Sequence, residues 1–446
     1  MRQQRVALLF LLLLASLVAC SPGHVGSSKI AFVRAGHLWT IYPDGTNPYE
    51  IVAGGPSVIG YGWSPSHQVL VFRVLDQGFA QTAAARRIVS NPISGLIGDL
   101  PSLLSTVGVD GGEPIPVMFA NTVIRYSNAW WNPPGNRLLF RQTLAIAGSP
   151  GPDQVVWRVV QNDQPGGIAS KALPGSYAIF SLASNGSTTI GNSREGIFTT
   201  TLAGIDTHVI VHGPLPGHPL PAALERVLWQ PAQADPAILY AVTSPDQSQP
   251  FGATAIQAQL LLRDMHGHTT TLAHCACIQF AWSPDGDHVL YSTGTTYTVI
   301  DLHGGTVMTI EGEYGSIPYW SPDSHSLLLD GLHTLILASI ASKQSRILLS
   351  DTSSPGPAHT VPAQPAVSAL LQPALNSPWS ADSRQVLFMT RQRLQWQGRP
   401  LSSGRGLYMV SLDDQGQSTG PPSVVDTGND TQAGWTYEDA NTSFLY

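Results

Sequence analysis

Phe280-Ala281-Trp282-Ser283-Pro284-Asp285-Gly286-Asp287-His288-Val289-Leu290-Tyr291 carries the pattern on which the whole chain is built. Pro284 presets φ at the first corner of a tight turn, Asp285 accepts the second, and Gly286 supplies a left-handed residue that returns the chain. Two antiparallel strands joined by this turn are expected. Val289, Leu290 and Tyr291 place apolar groups on both faces of the second strand, as a strand packed between two sheets requires.

Imperfect copies run along the chain: Trp63-Ser64-Pro65, Trp131-Asn132-Pro133-Pro134-Gly135, Trp229-Gln230-Pro231, Trp320-Ser321-Pro322-Asp323, Trp379-Ser380-Ala381-Asp382 and Trp435-Thr436. Each is followed by a short apolar run, the last being residues 444–446. A weaker copy, with Phe180 in place of tryptophan, fills the longest gap. From Trp63 the aromatics are spaced by 68, 49, 49, 53, 38, 59 and 56 residues. After each hairpin comes a third strand, a glycine-containing turn and a fourth strand, seen best in 297–302, His303-Gly304-Gly305 and 306–310. Repeats of four strands predict an all-β fold, a single β-propeller. The chain opens on second, third and fourth strands (30–33, 38–42, 49–52), and Trp435 supplies the missing first one, so the two ends are expected to close the ring in one blade. Counting Phe180 favours eight blades; without it there are seven.

Trp-Ser-Pro-Asp-Gly followed by apolar strands resembles the TolB-type propeller repeat, over nearly all of the chain after its first residues. The resemblance implies the fold. It implies no single activity, because that repeat occurs in envelope proteins, in propellers attached to peptidases and in many lipoproteins. Eight-bladed quinoprotein dehydrogenases are the nearest enzymes by blade count, but they use adjacent cysteines where this chain has Cys275-Ala276-Cys277.

Arg2 and Arg5 precede an apolar run over residues 6–18, thirteen residues long. A membrane-spanning helix needs about 20, so the run is expected to be a targeting segment. Its ending, Leu17-Val18-Ala19-Cys20, resembles the bacterial lipobox, which implies lipid attachment at Cys20 and cleavage before it. Several acyl chains on one cysteine would hold the protein to a membrane. The expected organisation is a signal peptide over 1–19, a lipidated cysteine and tether over 20–28, and a propeller over 29–446. Removing the signal leaves 20 basic and 29 acidic residues. With no basic stripe to displace counterions, a nucleic-acid partner is excluded. Charged residues make up only 11% of the chain, against about 25% in typical soluble domains.

No G-x-S-x-G, H-E-x-x-H, phosphate loop or C-x-x-C-H is present, and no catalytic, cofactor or metal residue is assigned. His266, His268, His274, Cys275 and Cys277 are the types that suit zinc or copper. One strand separates the first two histidines from the rest and puts them on opposite faces. Cys275 and Cys277 are therefore read as a disulfide or as two unpaired small residues, and the tryptophans as packing between blades.

The long connections are expected at residues 73–101, 142–153, 241–254 and 389–405 between second and third strands, and at 213–224 and 350–377 between repeats. With strands alternating in direction, both classes open on one face and the tight turns on the other. Function is expected on the long-loop face, as a non-catalytic protein- or ligand-binding module of the bacterial cell envelope. An envelope enzyme, hydrolase or quinoprotein-like, with a site built from those loops is the other reading.

Overall fold

The computed structural model describes residues 29–52, 57–82, 85, 99–118, 124–132, 135–144, 154–161, 171–172, 178–193, 196–202, 206–212, 227–233, 235–245, 256–275, 279–350, 370–372, 374, 376–392, 394–396, 399–401, 405–428 and 430–435. In the hairpin around Gly286, Phe280 pairs with Tyr291 and Trp282 with Val289. The Ser283 N–H donates to the His288 carbonyl (2.9 Å), and the Gly286 N–H donates to the Ser283 carbonyl (2.9 Å). Side chains finish the turn: the Ser283 hydroxyl donates to Asp285 (2.5 Å) and accepts the His288 N–H (2.9 Å). The same geometry recurs at Ser321 with Asp323 and at Ser380 with Asp382.

Where the sequence has no Gly at the returning position, the backbone still goes left-handed. His67, Ala232, Ser324 and Ser383 lie at φ of 58° to 63°, beside Gly135, Gly186 and Gly286 at 65° to 77°. That conformation costs a β-carbon of order 1 kcal/mol, and two of the substitutes offset it. The Ser324 hydroxyl accepts the Asp285 N–H (3.0 Å) and the Ser383 hydroxyl accepts the Asp323 N–H (3.1 Å), so each serine ties its own turn to the turn before it. Gly286 is needed on two counts, since a β-carbon there would lie 2.6 Å from the Pro231 carbonyl.

Seven sheets form the ring of a β-propeller. Sheet I combines Asp430–Trp435 with Ile30–Arg34, His37–Ile41 and Tyr49–Val52. Sheet II runs from Val58–Trp63 to Lys171–Ala172 and has eight strands; III starts at Ala178–Leu182, IV at Val227–Trp229, V at Gln279–Trp282, VI at Ile317–Trp320 and VII at Leu371–Gln372, each with four. The expected closure is present: Ile30 pairs with Trp435 and Ala31 with Gly434.

The favoured count of eight separate blades gives way to seven. The reason is not Phe180, whose strand opens sheet III. Two repeat units, each built round its own Trp hairpin, share sheet II, because Leu100 pairs with Tyr126 and Pro101 with Arg125 across the gap that would divide them.

Each repeat tryptophan is buried against the unit before it. Trp282 packs with Leu239 and Leu260 of sheet IV, Trp320 with Leu290 and Val299 of sheet V, and Trp379 with Tyr319 and Leu328 of sheet VI. Trp435 meets Leu387 and Leu407 of sheet VII. These rings are 0% to 3% exposed, and burial of this kind dominates the energy that holds neighbouring blades together.

Several connections are shorter than the sequence suggests. Val69–Leu75 extends its strand through Arg73, and Arg137–Leu144 through Gln142. Ile238–Pro245 takes up the start of the third connection. At the far end of the 350–377 segment, Leu371–Gln372 and residues 376–377 belong to the inner edge of sheet VII. Trp435 N–H donates there to the Ser377 carbonyl (2.9 Å). Two long connections carry structure of their own: a short helix α1 (Gln77–Ala80) capped by the Asp76 carboxylate, and the small hairpin of Gln395–Trp396 with Arg399–Pro400. The terminal 444–446 strand lies outside the described residues.

Candidate functional site: the long-loop face

Second-to-third connections and links between repeats open on one end of the strands, and the tight turns on the other. At the long-loop end of the closing seam, Arg34 ends its strand in sheet I beside two carboxylates. Its Nε donates to Asp430 (2.9 Å), at the start of the inner strand of the same sheet, and its Nη2 donates to Asp426, on the outer strand of sheet VII. The guanidinium also lies over the Phe32 and Trp39 rings, at 5.0 Å and 5.3 Å. Two acids share one cation in a seam where the Asp430 side chain is only 2% exposed. Desolvation by burial pushes the Asp430 carboxyl well above the usual range; Arg34 pulls it down, and the Asp426 charge pushes it up again.

One seam further back, Asp330 ends its strand in sheet VI and is fully buried. One oxygen accepts the Ala374 N–H of sheet VII (2.9 Å); the other has no partner among the described residues. Burial pushes this carboxyl up to about 7, with the nearby Glu313 charge acting in the same direction. Glu313 itself is fully used: it accepts the N–H groups of Leu332 and His333 and the Thr334 hydroxyl (2.6 Å), pinning a second-to-third turn to the link between sheets V and VI. In sheet II, Arg141 makes a two-pronged contact with Asp99 (2.8 Å and 2.8 Å), which also accepts the Thr143 hydroxyl. Tyr314, next to Glu313 in the chain, and Leu332, whose N–H Glu313 accepts, are exposed at 85% and 38%.

A row of buried polar groups connects the inner strands toward this same end. After the Asp330 contact, Asn376 of sheet VII donates to the Gln432 carbonyl of sheet I (2.8 Å), and Gln432 donates to the Ile59 carbonyl of sheet II (3.3 Å). Gln432 sits at a bulge with φ of 54°, the extra residue that turns its side chain out of the ladder.

Of the residues singled out in the sequence, Cys20 lies outside the described residues. Cys275 ends the strand Thr269–Cys275 and is disulfide-bonded; Cys277 lies outside the described residues. His266 and His268 are in the turn before that strand, where His268 contacts Asp264 (2.9 Å). The strand spans about 20 Å at 3.3 Å per residue, so the turn histidines and Cys275 stand at opposite faces. Among the described residues no three His, Cys, Asp or Glu side chains converge. The sequence reading did not find Arg34, Asp330, Asp426 or Asp430. Its one available signal was an arginine or aspartate inside an otherwise apolar strand, as in Ile30-Ala31-Phe32-Val33-Arg34.

No family model and no curated protein matches the chain. Among solved structures it is similar to one described as the eukaryotic initiation factor, with 12% identity over 93% of this chain and all of that one, at a TM-score of 0.53. Similarity extends to TolB from Acinetobacter baumannii (13% identity, 67% of this chain and 68% of that chain, TM-score 0.35). An oligogalacturonate lyase in complex with manganese also matches (12% identity, 88% and 99%, TM-score 0.43). Such identities speak to the fold alone.

Proposed function

We propose that this chain is a lipid-anchored, extracytoplasmic β-propeller of the bacterial envelope that binds a protein or small ligand through its long-loop face without catalysing a reaction. The carrying observation is the inequality of the two ends. Among the described residues, tight turns of neighbouring units are tied to one another by hydrogen bonds such as Asp285 N–H to Ser324 and Gln230 Nε2 to the Gly286 carbonyl (2.8 Å). The opposite end carries connections of differing length and composition, the material from which rigid scaffolds build recognition surfaces. Among the described residues, the two acids with strongly raised pKa, Asp330 and Asp430, are shut into seams, where they join sheets.

Anchoring is tested by fractionation. Cys20→Ala is expected to release the protein from membranes or to leave an unprocessed precursor. Wild type and variant that partition alike, both without lipid by mass spectrometry, would remove the anchor from this reading. Partner capture with the soluble form over residues 21–446 tests the binding role.

A further inference from the structure

Sheet VII is held on both sides by buried acids. On one side Asp330, at the end of its strand in sheet VI, accepts the Ala374 N–H (2.9 Å). On the other, Asp426 ends the outer strand of sheet VII, Asp430 opens the inner strand of sheet I, and Arg34 joins the two. Both contacts lie at the long-loop end of their strands.

Charge does not balance in either seam. Glu313, on the link between sheets V and VI, faces Asp330 and repels it; His333, in the turn after Asp330, is part-exposed and donates its N–H to Glu313 (3.0 Å). The described residues 370–372, 374, 376 and 377 of sheet VII carry no ionisable side chain. No cation contacts Asp330 among the described residues. In the other seam Arg34 is one cation for two carboxylates. Arg391 and Arg405, which flank the second and third strands of sheet VII, are exposed, and His37 of sheet I pairs with Glu50 (2.6 Å). With its acids ionised, each seam therefore holds an excess negative charge, at residues 0% exposed for Asp330 and, in the side chain, 2% for Asp430. Such charge is costly in low dielectric, and either a proton or an opening to water relieves it. The remaining contacts of these seams do not titrate: Trp379 and Trp435 are buried in them, and Asn376 donates to the Gln432 carbonyl (2.8 Å). Ionisation thus acts on the strand ends, while packing deeper in the seams holds the ring.

We propose that sheet VII is a proton-gated blade: with Asp330 and Asp430 protonated its long-loop end is locked against both neighbours, and ionisation of the two carboxyls loosens that end while the ring stays closed. The blade carries the small hairpin of Gln395–Trp396 with Arg399–Pro400 between its second and third strands, so the gate acts on material of the long-loop face.

Hydrogen exchange read by mass spectrometry on the full chain at pH 6 and pH 8.5, corrected for intrinsic exchange rates, tests it, with the strand Thr296–Asp301 of sheet V as internal reference. Burial pushes the Asp330 carboxyl up to about 7 and raises that of Asp430 as well, so the locked form holds its protons more tightly than the opened one and locking weakens as pH rises. For a carboxyl at about 7 when locked and about 4 when opened, opening becomes about tenfold easier between the two pH values. Protection near Ala374, Thr390 and Asp426 is expected to fall by about that factor relative to sheet V, and the double variant Asp330→Asn, Asp430→Asn is expected to abolish the fall. An equal fall in sheet V, no fall in sheet VII, or a fall that persists in the double variant would overturn the proposal. Should the variant fail to fold, the wild-type comparison of sheets VII and V still decides.

Discussion

Carboxylates at the two ends of the propeller are held in opposite ways. On the tight-turn face, Asp301 accepts the N–H groups of Gly305 and His303, and these hold its carboxyl below the usual range. Asp323 is partly buried, which works against ionisation, but the Ser321 hydroxyl and the His325 N–H outweigh that and lower it as well. On the long-loop face, Asp330 and Asp430 are raised by burial in seams between sheets. Acids of the first kind finish a local turn and favour their charged form. Those of the second kind join strands distant in sequence and are held in low dielectric, where charge is costly. The tight-turn end is therefore a repeated local device, and the other end is a set of individual solutions.

The largest test of that contrast is Arg34→Met. It removes the one cation shared by Asp426 and Asp430 and leaves two acids facing each other in the closing seam. Breaking a fully buried pair costs about 3–5 kcal/mol and less is expected here, where the Arg34 side chain is 28% exposed; the loss is expected to be smaller at pH 5 than at pH 8, because protonating Asp430 relieves it. Urea unfolding at both pH values measures this. A cost no greater than that of an exposed substitution would mean that the seam is closed by apolar packing alone.

Next in size is a pair of substitutions with opposite pH signatures. The folded pKa of Asp330 is about 7, above the unfolded value of about 3.9, so the folded state holds this proton more tightly. Its ionisation penalty is absent below pH of about 4, grows from there to 7 and is complete above that. Asp330→Asn should flatten the decline in stability between pH 4 and 8 and be more stable than wild type at pH 8. Asp323 has the reverse sign: its contribution is present above pH of about 4 and is lost as pH falls through its lowered folded value. Asp323→Asn should cost about 1 kcal/mol at pH 7 and progressively less as pH falls through that lowered value. Parallel pH profiles for the two variants would erase the distinction between the faces.

The smallest effect is expected from shortening residues 352–368, which spares the inner edge of sheet VII. Halving the length of a connection changes closure entropy by about 0.6 kcal/mol, so Tm should move by no more than a degree or two while partner capture weakens. A large loss of Tm would make this connection part of the scaffold and not of the recognition surface.

What was legible in the sequence follows the same divide. The hairpins could be read because Ser283, Asp285 and Gly286 do their work within five residues, and the closure because Trp435 repeats that signature. The polar contacts of the long-loop end could not. Arg34 and Asp430 are separated by 396 positions, and Asn376 and Gln432 by 56. The blade count failed for a related reason: the pairing of Leu100 with Tyr126 joins two units across strand ends whose register depends on the connections around them. The span of the 350–377 connection was overestimated because Leu371 and Asn376 lie among Pro, Ala and Ser, a composition that reads as loop although the neighbouring sheets hold it as an inner edge.

The most direct test of recognition by the long-loop face is site-specific photo-cross-linking in cells. A photoreactive residue at Tyr314 or Leu332 reports on that face, and one at His303, in a tight turn beside Asp301, reports on the other. Adducts from Tyr314 and Leu332 with none from His303 are the expected result. Adducts from His303, with none from the other two positions in protein that is folded and exported, would contradict the account and move recognition to the tight-turn face.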